Sequence, residues 1–393
     1  MKVLYCNPIF LDYRIPFYKR LNELFSNDFH VLYSVMRYKR MNRTDLLDRL
    51  KCELGDNAHP FDGEYCLNTY SMLGHEYSRE RGKNIPFTRG LIRAVRKIKP
   101  EVVISEGFFQ WTPLMILYCT IFRTPLYIGY ERTPHTERNN SWLKTLHRKI
   151  SDWFITGYLV NGSETSRYLL SIGVKESKIH VGGMSADSKG LVEGVRSMSA
   201  EDKATFKAKY QKGKGLVYLF VGQIVVRKGV KYLLQAWTEH IKNYPDDTLV
   251  LVGVGDLLEG FKQEYAHVSS IRFEGAVHYQ QVYKYYATAD VAFMPTIEDN
   301  WSLVVPEAMA CGLPVATSIY NGCHPELIEK GVNGTVFDTF DNSSIVKALD
   351  FFHHNDLEKL GKMSIEKEKP FNTENSAQRV YEALTKSNNS RCK

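Results

Sequence analysis

The stretch EDNWSLVVPEAMACGLPV, residues 298–315, places carboxylates on both sides of the start of an apolar helix. Glu298 and Asp299 precede the apolar run, and Glu307 stands eight residues after Asp299. The run VAFMP just before it is typical of a buried strand, so the acidic pair is predicted in the loop that follows this strand. Ligands of open α/β sheets bind outside the carboxyl ends of the strands. The stretch therefore predicts an α/β fold with a polar ligand site at this loop.

The apolar part of this stretch predicts a helix that starts at Leu303, with Ser302 as its N-cap. The free amides of Leu303 and Val304 would carry the positive end of the helix dipole, which suits a phosphate group. Glu307, one turn further on, could accept hydrogen bonds from two ribose hydroxyls, and the acidic pair in front could bind the hydroxyls of a sugar. The alternative is that these carboxylates are simply solvated.

A second motif, FVGQIVVRKGVKYLLQAW at residues 220–237, predicts a strand, a short loop and a helix. The strand ends at Gly222, and the loop carries Arg227 and Lys228. A lysine on such a loop can neutralise a diphosphate without a metal ion. Surface Arg-Lys pairs are common, so this motif alone is only moderately specific. The chain contains no Asp-x-Asp sequence, and we therefore expect neither a metal ion nor another cofactor.

The pattern of the whole chain, which has 393 residues, indicates two domains. Strands that are apolar throughout alternate with helices up to residue 183, and the alternation resumes after a polar segment at 186–213. We expect an α/β fold of two Rossmann-like, doubly wound domains that face a central cleft. The predicted segments are an acceptor-binding domain at 1–190, a donor-binding domain at 191–365 and a C-terminal helix at 366–393.

The charge of the chain is uneven. Residues 1–200 contain 29 Lys and Arg against 20 Asp and Glu, whereas the remainder contains 22 against 24. A basic first half suggests an anionic partner: a phosphorylated substrate, lipid headgroups or nucleic acid. The basic helices at 89–99 and 142–150 would suit an anionic membrane surface, with a solvated helix face as the alternative. The second of these helices has apolar residues in register at Trp142, Leu146, Ile150 and Trp153. No nucleic-acid-binding motif is recognisable, so we expect no such partner.

The cysteines and the start of the chain favour a cytoplasmic protein, with the inner face of the cell membrane as a second expected location. The seven cysteines are scattered and form no CxxC pair, which is typical of reduced thiols. The first residues, MKVLYCNPIFLDYR, have no signal-peptide layout. The longest apolar run, at 111–122, is shorter than the roughly 18 residues of a membrane-spanning helix and predicts a buried core helix.

These motifs together resemble the family 4 glycosyltransferases, which have the GT-B fold and usually retain the anomeric configuration of the sugar. The resemblance rests on VGQIVVRKG, LVGVGD, RFEGAV, YATADVAFMPT and EDNWSLVVPEAMACGLPV. It is strong over residues 215–340 and mainly architectural over residues 1–190. The segment PFNTENSAQRVYEAL at 370–384 resembles the last helix of these enzymes, which crosses back to the first domain.

The resemblance implies that Lys228 binds the donor diphosphate with the amides of Ser302 and Leu303, and that Glu307 holds the ribose. The implied donor-binding residues are Gly222, Gln223, Arg227, Lys228, Val277, His278, Asn300, Ser302, Leu303, Val304 and Glu307. Val277 and His278 would lie near the base. The chain departs from the family at Gln223, where an arginine is frequent, and at Asp299, where the first glutamate of the E-x7-E pattern is usual.

The candidate acceptor-binding residues lie in the first half: Arg14, Glu106, Arg132 and His135. Arg14 follows the first strand, where the family often has a Gly-Gly turn. Glu131 stands where the family often has a histidine near the reacting sugar. The candidate catalytic residues are Glu131, Glu298, Asp299 and Lys228. A helix-start charge for Arg14 and a solvated loop for His135 are the alternatives.

The expected activity is transfer of a sugar from a UDP- or GDP-sugar to a hydroxyl acceptor, with retention and without a metal. A lipid-linked glycan in surface polysaccharide biosynthesis is the expected acceptor. One alternative is a nucleotide-sugar 2-epimerase of the same fold, which needs acid and base carboxylates but no acceptor groove. The other is a non-catalytic protein that binds a nucleotide-sugar.

Overall fold

The computed structural model describes residues 1–68, 84–183 and 185–389 of the chain. In these residues the strands form two parallel sheets and one antiparallel hairpin. The first sheet consists of β1 Val3–Cys6, β2 Phe29–Ser34, β3 Ala58–Phe61, β6 Val102–Glu106, β7 Leu126–Tyr130, β8 Gly157–Val160 and β9 Ile179–Val181, and the hairpin of β4 Glu64–Asn68 and β5 Asn84–Thr88. The second sheet consists of β10 Val217–Val221, β11 Thr248–Val252, β12 Ile271–Gly275, β13 Val291–Met294, β14 Val315–Ser318 and β15 Gly334–Phe337.

The helices connect the strands and cover both faces of each sheet. The helices of the first half are α1 Arg14–Leu24, α2 Val35–Met41, α3 Asp45–Leu54, α4 Leu91–Ile98, α5 Thr112–Phe122, α6 Trp142–Asp152 and α7 Ser163–Ser171. The remaining helices are α8 Lys189–Ser197, α9 Ala200–Lys207, α10 Val230–His240, α11 Leu258–Glu264, α12 Tyr279–Tyr286, α13 Val304–Ala310, α14 His324–Leu327, α15 Asn342–Asp350, α16 Leu357–Glu368 and α17 Thr373–Asn389.

Each sheet reverses its strand order at one point, and this fixes where a ligand can bind. The strand orders are β3-β2-β1-β6-β7-β8-β9 and β12-β11-β10-β13-β14-β15. The chain builds outward from β1 and then returns to its other side with β6, and β10 and β13 repeat this pattern. A crevice opens at the carboxyl ends of the strands at such a switch point. The loops after β1, β6, β10 and β13 therefore line the crevices of the two sheets.

The last helix, α17, returns to the first sheet after the second sheet is complete. Ala377, Val380 and Leu384 of α17 are buried in the core that also contains α1. Helix α8, by contrast, packs against α12, and its Leu191 joins the core of the second sheet. The chain therefore passes from one sheet to the other between β9 and α8, and passes back between α16 and α17.

The predicted strands and helices are present, with two kinds of difference. No regular structure is predicted for the segments 35–61 and 186–213, but they contain α2, α3, β3, α8 and α9. The run at 111–122 forms α5, but it is only half-buried, because Leu117 and Ile121 are exposed. An apolar composition alone does not show that a helix has a solvent-facing side.

Two further expectations concern the cysteines, predicted to be reduced thiols, and the helices, none of which is predicted to span a membrane. Cys6, Cys52, Cys119, Cys311 and Cys323 are free thiols. The side chains of Cys66 and Cys392 lie outside the part of the chain that is described. Among the described helices, none combines the length and the apolar character needed to cross a bilayer.

Candidate active site

The loops after β10 and β13 form the basic and acidic centre of the second sheet's crevice. The Nζ atom of Lys228 lies 2.6 Å from Oδ2 of Asp299, and both side chains are mostly buried. A guanidinium nitrogen of Arg227 is 3.9 Å from the same oxygen. The backbone carbonyl of Arg227 accepts a hydrogen bond from the amide of Ile297 at 2.9 Å. The two predicted motifs are therefore joined to each other at this crevice.

Gly229 permits this close approach of the two loops. Its φ is +69°, in the left-handed region, and a Cβ atom there would lie 1.9 Å from the carbonyl oxygen of Pro295. Gly229 also lies between Lys228 and the first residue of α10, so its backbone conformation sets the direction in which the chain enters the helix. A side chain at this position would push the two loops apart.

Gly229→Ala is expected to destabilise the protein by at least about 2 kcal/mol, because the alanine combines a positive φ with a backbone clash. The free energy of unfolding in urea measures this effect. Gly260→Ala is the matched control, because a Cβ atom on Gly260 in α11 meets nothing within 4 Å. Equal stability of the two variants would contradict the role given to Gly229.

Glu307 lies on α13, just inside the crevice, and is 7% exposed. Its Oε1 accepts a hydrogen bond from the Tyr279 hydroxyl at 3.1 Å, and its Oε2 accepts one from Tyr286 at 3.1 Å. Burial raises the pKa of Glu307 to about 7, although the two tyrosine hydroxyls act in the opposite direction. The carboxyl group is thus held rigidly and titrates near neutral pH.

The start of α13 differs from the prediction that Ser302 caps the helix. The N-cap is Leu303, and no side chain caps the first turn. Ser302 is buried one residue earlier, and its amide donates a hydrogen bond to Oδ1 of Asn321 at 3.3 Å. The Ser302 amide, which was predicted to bind the diphosphate, is therefore already bonded to a residue that follows β14. The helix begins at Val304, one residue later than the predicted start at Leu303.

The remaining predicted donor residues lie at the same edge of the sheet. Gly222 and Gln223 directly follow β10, and Gln223 accepts a hydrogen bond from Arg227 at 3.1 Å. Val277 and His278 follow β12, with Val277 half-buried and His278 exposed. Asn300 lies between the acidic pair and α13, and its Oδ1 is buried without a hydrogen-bond partner in the described residues.

The first sheet contributes a charged cluster around Arg14, which is only 4% exposed. One guanidinium nitrogen of Arg14 lies 3.0 Å from Oε1 of Glu131 and 3.5 Å from Oε1 of Glu106. Another donates a hydrogen bond to the carbonyl of Gly183. Burial raises the pKa of Glu106 to about 7, while Arg14 acts to lower it and Glu131 to raise it. Three residues predicted separately thus form one cluster.

This cluster lines a cavity of about 330 Å³ at the carboxyl ends of β1 and β6. The polar side chains on its wall are Asn7, Arg14, Glu106, Gln110 and Glu131, and its apolar wall includes Phe10 and Tyr13. Tyr13 also packs against the core of the second sheet. The cavity is therefore at the face of the first sheet that approaches the second.

Arg14→Ala is expected to destabilise the protein by about 3 kcal/mol, because it removes the positive partner shared by the mostly buried Glu106 and the partly exposed Glu131. The free energy of unfolding in urea at pH 8 measures the loss. The double variant Arg14→Ala/Glu106→Gln should recover part of it, since one of the two charges is then removed. A single variant as stable as the wild type would show that the cluster is not an ion-paired unit.

The loop after β7 connects the two crevices. The ring nitrogen Nε2 of His135 is 2.8 Å from the carbonyl oxygen of Ile297, directly before the acidic pair. Arg138 donates a hydrogen bond to Glu298 at 2.8 Å. Arg132 is more exposed and lies 3.8 Å from Glu137 in its own loop. The structure therefore places His135 at the junction of the sheets, whereas Arg132 points to a neighbour outside the charged cluster.

Several residues of the crevice were missed by the sequence reasoning. Tyr279 and Tyr286 fix both oxygens of Glu307. Asn161, at the end of β8, is 2% exposed, and neither atom of its amide group has a hydrogen-bond partner in the described residues. A buried polar group without a partner is costly, so Asn161 is a candidate for contact with a bound ligand. Its position directly after a buried strand was the signal that could have found it.

Comparison with known proteins gives a family match for the second half. Residues 215–355 match the family model of the group 1 glycosyl transferases. An uncharacterized glycosyltransferase of Haemophilus influenzae is 32% identical over 156 residues, which is 38% of this chain and 42% of that protein. The alpha-monoglucosyldiacylglycerol synthase of Acholeplasma laidlawii is 29% identical over 171 residues, which is 42% of this chain and 41% of that protein. The matched part spans about two fifths of either relative.

Comparison with solved structures extends over both halves. The crystal structure of Anabaena Alr3699/HepE in complex with UDP and glucose has a TM-score of 0.74 to this chain at 14% identity. The match covers 98% of this chain and 100% of the other. At this identity the likeness shows the fold alone, and the fold is GT-B, as predicted.

Proposed function

We propose that this chain, whose residues 215–355 match the group 1 glycosyl transferases and whose fold is GT-B, transfers a sugar from a nucleotide-sugar to a hydroxyl group. Residues 191–365 would bind the donor, and residues 1–190 the acceptor. The observation that carries this proposal is the position of Lys228 and Asp299, 2.6 Å apart, at the same sheet edge as the buried carboxyl group of Glu307.

The donor half of the proposal assigns one role to each of these groups. Lys228 exchanges its partner Asp299 for the donor diphosphate, and the amides at the start of α13 add donors for the same phosphates. Glu307 accepts hydrogen bonds from the ribose hydroxyls. The diphosphate is thereby neutralised by protein groups, and we propose that no metal ion takes part.

The acceptor half assigns the reacting hydroxyl to the crevice beside Glu131. The bond between the anomeric carbon and the diphosphate oxygen breaks, and its electron pair leaves with the diphosphate. The acceptor oxygen attacks from the same face, which retains the configuration, and its proton passes to the departing phosphate oxygen. Glu131, held by Arg14 at 3.0 Å, positions the acceptor. The carboxylate of Asp299, once Lys228 has moved to the diphosphate, accepts hydrogen bonds from the hydroxyls of the transferred sugar.

We propose a lipid-linked glycan in surface polysaccharide biosynthesis as the acceptor, at an anionic membrane surface. Two observations support this choice. The first half of the chain is basic, with 29 Lys and Arg against 20 Asp and Glu in residues 1–200. The relative from Acholeplasma laidlawii is named for a product in which a sugar is joined to diacylglycerol.

The test is a panel of UDP-, GDP-, ADP- and dTDP-sugars, each measured for thermal stabilisation and for release of nucleoside diphosphate, with and without EDTA. We expect one nucleotide class to stabilise the protein and to be turned over in EDTA. Binding without turnover, in the presence of membrane extracts that supply acceptors, would favour a non-catalytic protein. Conversion of the free sugar nucleotide to its 2-epimer would favour the epimerase, and no response to any nucleotide would contradict the proposal.

A further inference from the structure

Helix α6 turns its apolar side to the solvent and its polar side to the protein. Trp142 is 72% exposed and Trp153, at the end of the helix, is 79% exposed. Arg148 and Ser151, on the opposite side, are buried. A surface helix of a globular protein normally has the reverse arrangement, with its apolar stripe toward the core. The sequence correctly predicts that these apolar residues share one side of the helix, but in the structure this side does not pack against the core.

A buried ion pair holds the helix in this orientation. Arg148 donates hydrogen bonds to both carboxylate oxygens of Glu137, at 2.8 and 3.2 Å. Its guanidinium group lies 5.7 Å from the ring of Phe108 and 5.5 Å from the ring of Tyr168. Because both partners are nearly buried, a rotation of α6 that covered its apolar side would leave these charges unpaired.

The exposed apolar side is wide and continuous along the helix. At about 100° per residue its members span roughly 120° of the helix surface. We call this surface the α6 ridge, and its residues are Trp142, Leu143, Leu146, Ile150, Trp153 and Phe154. Helix α5 is expected on the same face of the sheet, because β6, β7 and β8 are consecutive parallel neighbours and crossovers between such strands are right-handed as a rule. Leu117 and Ile121 of α5 are also exposed, and they extend the apolar character of this face.

The charges on α6 and on the neighbouring helices α4 and α5 are mostly positive. Lys144 and Lys149 of α6 are exposed, and Arg123 directly follows α5. Helix α4 carries three basic residues and no acidic one, and Arg96 of this helix lies 5.5 Å from the ring of Phe122. The acidic residue within α6, Asp152, is paired with Lys178 at 3.0 Å. The surface thus combines exposed tryptophans with an excess of positive charge.

We propose that the α6 ridge docks the protein on an anionic lipid bilayer. Tryptophan rings favour the boundary between headgroups and acyl chains, and the α6 ridge has one at each end. The lysines and arginines beside it would contact the anionic headgroups. A second copy of the chain fits less well, because a symmetric contact would bring two equally positive surfaces together.

This inference deepens the proposed function, on which its biological meaning rests, because it states how a lipid-linked acceptor reaches the site. The loop before α6 carries Glu131 and His135, so it joins the docking helix directly to the acceptor crevice. A membrane-bound acceptor would then approach the crevice from the side of the α6 ridge. Binding to vesicles, however, requires no catalysis and can be tested independently of turnover.

The test is co-sedimentation of the full chain with phosphatidylcholine vesicles that contain 0 or about 30% phosphatidylglycerol, a fraction chosen to give a clear surface charge. We expect binding to the anionic vesicles only. Trp142→Ser/Trp153→Ser and Lys144→Glu/Lys149→Glu should each weaken it by at least about tenfold. Phe340→Ser, at another exposed aromatic residue in the second half, and Lys359→Glu/Lys362→Glu on α16 are the matched controls and should bind as the wild type does.

Failure of the wild type to bind anionic vesicles, or unchanged binding by both α6 variants, would overturn the proposal. So would a dimer in solution that Trp142→Ser/Trp153→Ser dissociates, because the α6 ridge would then be an interface between copies. Thermal stabilisation by the donor nucleotide should be the same in wild type and in both α6 variants. If vesicle binding follows the α6 ridge but no nucleotide binds, the docking surface stands and the proposed transferase activity fails.

Discussion

Lys228→Ala is expected to lower the turnover number by about 10²- to 10³-fold, the usual effect of removing one preorganised group that stabilises developing charge. In the structure the ammonium group lies 2.6 Å from Asp299 and is mostly buried, so it is already fixed at the crevice. In the proposed metal-free reaction the negative charge of the diphosphate grows as the bond to the sugar breaks, and Lys228, which is more buried than Arg227, would stabilise it. Release of nucleoside diphosphate under saturating donor measures the change.

The matched control is Lys231→Ala, which removes an exposed lysine three residues further on, in α10. It should leave the turnover number within about twofold, because solvated surface charges contribute little. Asp299→Asn adds a second check: it removes the partner of Lys228 but keeps the lysine, and should have a smaller effect on release of the diphosphate. Equal activity of Lys228→Ala and the control would exclude Lys228 from the donor site.

Glu307→Gln is expected to weaken binding of the donor nucleotide by about 10-fold or more at pH 8, because hydrogen bonds to a charged acceptor are worth about 1.5–3 kcal/mol. The carboxylate accepts from two tyrosine hydroxyls and can still accept from a ribose. An amide of the same size keeps only one oxygen acceptor and has no charge. Isothermal titration with the nucleoside diphosphate measures the dissociation constant.

Because the pKa of Glu307 is raised, both the affinity for the donor and the stability of the fold should depend on pH. Its pKa of about 7 lies above the usual 4.5, so the group is largely protonated at pH 6 and ionised at pH 8. Since the ionised form accepts the ribose hydrogens, donor affinity should rise as the pH increases through about 7. The contribution of the same group to stability runs the other way: the folded state is favoured below pH 4.5, and this advantage is lost as the pH rises through 7.

Glu368 provides the control for this pH dependence, because burial raises the pKa of this α16 residue to about 7 as well. Glu368→Gln should change the stability profile between pH 5 and 8 yet leave the rise in donor affinity intact. Glu307→Gln should abolish that rise. A pH-independent affinity in the wild type would contradict the role of an ionised Glu307.

Much of the second half could be predicted from its sequence alone. The strand VAFMP, the acidic loop and the helix that follows are adjacent in the chain, so their order and chemistry are readable from 20 residues. The same holds for the loop of Arg227 and Lys228. Parallel strands then place both loops at one sheet edge, and this needs no knowledge of individual contacts. The helices of the polar segment 186–213 were harder to predict, because α8 and α9 are short and only Leu191 among their residues is fully buried.

Only the tertiary structure decided which distant residues meet and which side of a helix faces the core. Arg14 reaches Glu106 and Glu131 across about a hundred residues of chain, and the backbone amide of Ser302 donates a hydrogen bond to Asn321, which follows β14. Periodicity likewise shows that α6 has an apolar side but not where that side points. The structure shows that the buried side is the one with Arg148, which is paired with Glu137, and leaving either charge buried without its partner would be strongly destabilising.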